Sequence, residues 1–113
     1  MSDCLFCKMA AGEITPDIVY QDDEILAFRD INPKAPTHIL IIPKKHIPSV
    51  AEAQAEDIAL LGKIQLVAAQ LAEELGLKAE GFRLVSNAGK NAGQEVFHLH
   101  YHLIGGAPLG IYW

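Results

Sequence analysis

Gln94-Glu95-Val96-Phe97-His98-Leu99-His100-Tyr101-His102-Leu103-Ile104 alternates apolar residues with histidine through its second half. Alternation with period two marks a β-strand, whose successive side chains point to opposite faces. A strand over Val96–Ile104 therefore sends His98, His100 and His102 to one face and Leu99, Tyr101 and Leu103 to the other. Three adjacent imidazoles pack poorly, since each buried ring has two nitrogens to satisfy. Such a row is expected to do chemistry, as metal ligands or as a catalytic row. A flat strand spreads the three over about 13 Å, too far to share one ion without a bulge. A hydrolase that uses the row as metal ligands stays an alternative.

Outward from this strand, the polar, glycine-rich stretch Asn87–Gln94 is a loop, and Phe82–Ser86 before it is a second strand. From Glu56 to Leu75 the residues Leu60, Ile64, Val67, Leu71 and Leu75 recur at helical spacing, with Gly76 as the stop. Ser49-Val50-Ala51-Glu52 ahead of them has the capping-box pattern. His38–Ile42 is a dense buried strand ended by Pro43, and Asn32–Pro36 is a loop because its prolines disfavour helix and ladder. Ile18–Tyr20 and Ile25–Arg29 form a hairpin across the polar turn Gln21–Glu24. Leu5–Ala11 is a short helix stopped by Gly12. The sum is an α+β fold: an antiparallel sheet of about five strands, one main helix and a short N-terminal helix, with residues 1–113 forming one domain.

The 113 residues carry a formal net charge of −5, half are apolar and a fifth are charged. Such a chain folds without disulfides, and the acidic balance argues against nucleic acid as a partner. No apolar run approaches the ~20 residues that span a bilayer, so no membrane association is expected. Met1-Ser2-Asp3-Cys4 lacks the basic start of a secretory signal, so a cytoplasmic location is expected. The only cysteines are Cys4 and Cys7. A structural disulfide is out of place in the cytoplasm, and a redox C-x-x-C would follow a strand, which is absent here. A metal reading needs two more ligands, and histidines lie elsewhere in the chain.

The run from Gln94 to Ile104 resembles the histidine triad motif, and Pro36-Thr37-His38 with Pro43-Lys44-Lys45-His46-Ile47 is similar to the family's second signature. Gly105-Gly106 after the triad looks like the nucleotide-binding (Hint-like) branch. The resemblance spans about Cys4 to Gly106. It implies a homodimeric hydrolase of purine nucleoside phosphoramidates that works through a covalent nucleotidyl-histidine on His100. His98 would hold the ring proton of His100 by its carbonyl, His102 would assist at the phosphoryl oxygens or leaving group, and His38 would orient His98. The resemblance places the phosphate at Asn87, Gly93, Gln94, Glu95 and Val96, with the side chain of Glu95 turned away. It places the ribose of an adenylate- or guanylate-type nucleotide at Asp30 and the purine among Phe28, Ile31, Ile14 and Met9. It also implies structural zinc on Cys4, Cys7, His46 and His98, with no catalytic cofactor. Arg29 and the lysines read as solvated charges.

Two other functions stay open: a dinucleoside polyphosphate hydrolase or nucleotidyl transferase, and a nucleotide-binding interaction module with incidental catalysis. Ala107 stands where the branch usually has arginine, and Pro108-Leu109-Gly110-Ile111-Tyr112-Trp113 replaces its usual tail. Leaving-group preference therefore stays open.

Overall fold

Cys4 opens the first helix, because its Sγ accepts the backbone N–H of Cys7 at 3.3 Å, and α1 follows over Leu5–Ala10. The computed structural model describes residues 4–110. Residues 1–3, read above for a signal, and 111–113, the end of the divergent tail, lie outside the described residues. Strands β1 (Ile18–Gln21) and β2 (Ile25–Arg29) form the expected hairpin. Asp22 closes it: its Oδ1 accepts the N–H groups of Glu24 and Ile25, each at 2.8 Å, the usual work of aspartate in a turn. β3 (Thr37–Pro43), α2 (Ile58–Glu74), β4 (Phe82–Val85) and β5 (Tyr101–Gly105) complete an α+β fold. The sheet is antiparallel throughout, in the order β1-β2-β3-β5-β4.

Period-two alternation assigns the two faces of the sheet. Ile25, Ala27, Ile39, Ile41 and Leu103 face α2 and bury against Ile64, Val67, Ala68, Leu71 and Ala72. Leu26, Phe28, Leu40 and Ile42 face the other way and close over Phe6 of α1. His38 and His102 share this second face, since Leu40 lies opposite His102 and His38 precedes Leu40 by two residues.

Helix α2 lies within the expected 56–75, but its start is built differently. Ser49 Oγ accepts the Ala51 N–H at 3.1 Å and so caps a separate 3₁₀ turn, Val50–Glu52. A second turn, Ala55–Asp57, runs into α2 and is capped by Asp57, whose Oδ2 accepts the Gln54 N–H at 2.9 Å. At the far end the N–H groups of Gly76 and Leu77 reach Glu73 O at 3.1 Å and Ala72 O at 2.8 Å. That pair is a Schellman closure, with Gly76 at positive φ.

The histidine strand is shorter than its alternation suggests. β5 begins at Tyr101, so His98 and His100 lie outside the ladder, whose last pair with β3 is Ile41 opposite Tyr101. Pro43 is the cause: it has no N–H with which to continue pairing. The Leu99 N–H goes instead to Ile47 O at 2.6 Å. The lysines also depart from expectation. Lys45 Nζ reaches the buried carboxylate of Asp57 at 2.6 Å and Glu56 at 2.9 Å. Lys63 ties α2 to the β1–β2 turn through Asp22 at 3.1 Å and Glu24 at 2.9 Å. Arg29 lies 3.8 Å from Asp17. Among the described residues, no helix is long and apolar enough to cross a membrane.

Candidate active site

Two cavities adjoin on the α1 side of the sheet. One, of about 300 Å³, is polar and is lined by Asn32, Lys34, His38, Asn87, Gly93, Gln94, His100 and His102. The other, of about 710 Å³, is mostly apolar and is lined by Met9, Ile14, Phe28 and Ile31 among others. Phe6, Asp30, Leu40, Glu95 and Val96 border both. Asp30 thus stands where an apolar groove meets a row of imidazoles. A ligand that is flat at one end and anionic at the other matches this plan, with its middle at Asp30.

Local bonding decides which nitrogen of each ring carries the proton. His100 Nδ1 lies 2.7 Å from the carbonyl oxygen of His98. A carbonyl only accepts, so Nδ1 holds the proton and the lone pair stays on Nε2. Ser86 Oγ donates to His100 O at 2.9 Å and fixes the backbone of this ring outside the ladder. Phe6 packs edge-on against His100, with centroids 5.1 Å apart.

His38 is wired differently. Its Nδ1 accepts the Lys34 N–H at 3.0 Å, which leaves the proton of the neutral ring on Nε2. That Nε2 lies 2.9 Å from His102 Nδ1 and 3.4 Å from Asp30 Oδ2. His38 therefore orients His102, where the expectation was His98. His102 accepts at Nδ1 and so carries its own proton on Nε2. Burial, aided by His100 and His38, pushes His102 down to about 4, and burial also lowers His38. Both rings are neutral at pH 7.

His98 is fully buried and turned toward the cysteines. Its Nε2–H donates to Pro43 O at 2.7 Å, so the lone pair is on Nδ1. That Nδ1 lies 3.4 Å from Cys4 Sγ, 3.5 Å from Cys7 Sγ and 3.2 Å from His46 Nδ1. His46 Nδ1 is 3.2 Å from Cys7 Sγ. Cys4, Cys7, His46 and His98 together can hold a metal ion, and their sulfur and nitrogen donors make a four-ligand set. Burial, with Cys4 beside it, pushes the Cys7 thiol up to about 11. Lys45, next to His46 in the chain, is clamped to Glu56 and Asp57 of the turn Ala55–Asp57. The triad does not share one ion, because His98 serves this group while His100 and His102 line the cavity.

The Asn87–Gln94 loop is held from inside. Gln94 Oε1 accepts the Gly89 N–H at 2.8 Å, and its Nε2 donates to Pro48 O at 2.7 Å and Val96 O at 3.0 Å. Gly89 and Gly93 take φ of 87° and 81°, a region closed to most side chains, which lets the loop turn around Lys90–Ala92. In the apolar groove Phe28 is a buried floor, stacked edge-on against Phe6 at 5.7 Å, whereas Ile31 is 91% exposed at the rim. Sequence reasoning missed Lys34, Pro43 and Ser86. Lys34 and Pro43 act through backbone atoms that every residue has, so nothing in their side chains signalled the role.

The HIT domain family model matches residues 11–109. The chain is 52% identical over 108 residues to the purine nucleoside phosphoramidase of Escherichia coli K12, covering 96% of this chain and 91% of that protein. It resembles the crystal structure of a HIT family hydrolase from Legionella pneumophila, with TM-score 0.92, 52% identity and coverage of 94% and 95%. A histidine triad protein from Clostridium difficile superposes with TM-score 0.95 at 45% identity, covering 100% of this chain and 98% of that one.

Proposed function

The chain belongs to the HIT domain family, and on that premise we propose that it hydrolyses purine nucleoside phosphoramidates through a covalent bond from His100 to the α-phosphorus. The observation that carries the reading is the 2.7 Å bond from His100 Nδ1–H to His98 O, which leaves Nε2 as a nucleophile in the cavity. The substrate class follows from the phosphoramidase relative and from the apolar groove that adjoins the imidazoles at Asp30.

In the first step His100 Nε2 attacks phosphorus, a bond from histidine nitrogen to phosphorus forms, and the phosphorus–amine bond breaks. The amine leaves with a proton taken from solvent, while the neutral His102 ring holds it by a hydrogen bond from Nε2–H. Water then attacks phosphorus and returns one proton to solvent, the bond to His100 breaks, and a nucleoside monophosphate departs. Splitting the displacement makes two easier steps. The His98 carbonyl faces the ring while it carries positive charge. Asn87 and the N–H groups around Gly93 and Glu95 receive the phosphoryl oxygens, Val96 borders them, and Asp30 receives the ribose hydroxyls.

Zinc is the ion that suits two thiolates and two imidazoles. Cys4, Cys7, His46 and His98 would hold it, and it would cross-link α1 to the approach of β5 without entering the reaction. One domain, 1–113, works in the cytoplasm as a homodimer in this reading. Edge strand β4, with exposed Phe82, and α2, with exposed Leu66, supply the interface. Sedimentation as a stable monomer at micromolar concentration overturns the dimer.

The test of the mechanism is a rapid quench during turnover of an adenosine phosphoramidate. A histidine–phosphorus adduct survives alkali and not acid, so adenylate should be found on His100 only after the alkaline quench. His100→Ala should lose the adduct and lower turnover by about 10⁴-fold or more, yet still bind adenylate. An adduct on His98 or His102, or substantial turnover by His100→Ala, refutes the assignment.

A further inference from the structure

The buried His38 ring holds its proton on Nε2, where His102 Nδ1 lies at 2.9 Å and Asp30 Oδ2 at 3.4 Å. The proton cannot retreat to Nδ1, because the Lys34 N–H occupies that side at 3.0 Å. Asp30 is constrained as well, since its Oδ1 accepts the Asn32 N–H at 2.8 Å. Oδ2 is therefore the oxygen left to His38, on a residue that borders both cavities. Any hydroxyl that donates to Oδ2 weakens its pull on the His38 proton.

We propose that Asp30, His38 and His102 form a relay through which the ribose of the substrate sets the proton on His102. The inference rests on the function proposed above and adds to it a coupling between sugar and catalysis. With Oδ2 held by the 2′- and 3′-hydroxyls, the Nε2–H of His38 commits to His102 Nδ1. His102 is then fixed with its Nε2–H toward the cavity, where it donates to the phosphoryl group or the departing amine. Without those hydroxyls the His38 proton is shared with Asp30, and His102 is less firmly oriented. No atom is gained or lost; one hydrogen bond is redistributed. His38 is in this account a positioning residue that never touches the substrate.

The relay makes the sugar matter for kcat and not only for KM. Adenosine phosphoramidate and its 2′,3′-dideoxy analogue should differ in kcat by about tenfold to a hundredfold in the wild-type protein, a part of what a positioned proton donor contributes. In Asp30→Ala the carboxylate no longer competes for the His38 proton, so the two substrates should converge in kcat while both keep a raised KM. In His38→Ala the relay is cut, and the two should again share one kcat. Imidazole ¹⁵N spectra read the same coupling without turnover: adenylate should sharpen the His102 pattern toward an Nε2-protonated ring, and 2′,3′-dideoxyadenylate should not. If the dideoxy substrate changes KM alone, or if both nucleotides alter His102 alike, the relay is overturned. If the spectra respond to ribose while no phosphoramidate is hydrolysed, the relay stands and the proposed reaction falls.

Discussion

The cluster of Cys4, Cys7, His46 and His98 and the cluster of Asp30, His38 and His102 look alike in outline. Each gathers histidines from distant parts of the chain, and in each the potential ligand atoms lie within 4.8 Å of one another. They differ in what the backbone does to the rings. Pro43 O takes the Nε2–H of His98 and leaves a lone pair facing two thiols, as a metal ligand requires. The Lys34 N–H takes the lone pair of His38 and leaves an N–H facing a carboxylate and another ring. A metal at that nitrogen would first have to displace the proton, and the Lys34 N–H denies it the other nitrogen. One cluster is set up to bind a cation and the other to pass a hydrogen bond, though each is built on a pair of histidines. His100 stands between them, its Nδ1 on the carbonyl of one cluster and its ring 5.1 Å from the other.

If the two clusters are as different as this, they fail differently. His102→Ala should lower kcat by about 10²–10³-fold while leaving bound metal and Tm nearly unchanged, which metal analysis and calorimetry on the same sample would check. A loss of metal in that variant would merge the clusters into one. Cys4→Ser should do the opposite. For a metal present at 10²–10³ times its Kd, removal costs about 3–4 kcal/mol of stability, or roughly 12–30 °C in Tm at this chain length. Turnover by the folded fraction at low temperature should change little, and chelator should reproduce the effect on the wild-type protein. Equal activity loss and unchanged Tm would reverse the assignment.

Acid provides a third test. His102 titrates near 4 in the folded chain, against an ordinary value near 6.5 in the unfolded one. The unfolded state therefore binds more protons between those values, so stability rises with pH across the window. It should be fully present above about pH 6.5 and fall as pH drops toward 4, by about 1–3 kcal/mol from this ring. Denaturant midpoints measured from pH 7 to 4 should show the slope, and His102→Gln should reduce it, leaving the part that the buried His38 and His98 contribute. Asp22, whose carboxyl is held well below its ordinary range by Tyr20, its turn amides and Lys63, gives way only at lower pH. The smallest effect belongs to Ser86→Ala, which deletes the hydroxyl bond to His100 O. It should cost about 1 kcal/mol and a few-fold in kcat, with metal content untouched. A Tm shift without any change in kcat would show that Ser86 supports the fold and not the placement of His100.

Much of this architecture could be read before any coordinates. Ile25–Arg29 was expected as a strand and is β2, and the apolar spacing around Leu71 gave the helix its buried face. Such patterns are legible because burial acts on side chains and repeats along the chain. The histidine run misled only at its start. Phe97-His98-Leu99-His100 alternates as a strand does, but the residue that would have paired with it is Pro43, and the missing N–H lies 55 positions away from His98. Ser49 shows the same limit locally: its capping pattern is real and closes a turn, while the helix waits for Asp57. The types of the site residues were visible. Their tautomers were not, because these depend on Pro43 O, Lys34 N–H and His98 O, and backbone atoms carry no letter in a sequence.

The metal-type cluster also imposes an order on synthesis. Cys4 and His98 are 94 positions apart, so at ~5–20 residues per second a ribosome needs on the order of 5–20 s to make the second after the first. Until residue 46 is made the thiols have half a ligand set, and from there to residue 98 they have three of the four ligands. The fourth ligand arrives only when nearly all of the sheet has been made. Closure of the cluster would therefore be a completion signal: it would tie the first helix down once the chain has reached His98, and a chain cut short before residue 98 cannot give it.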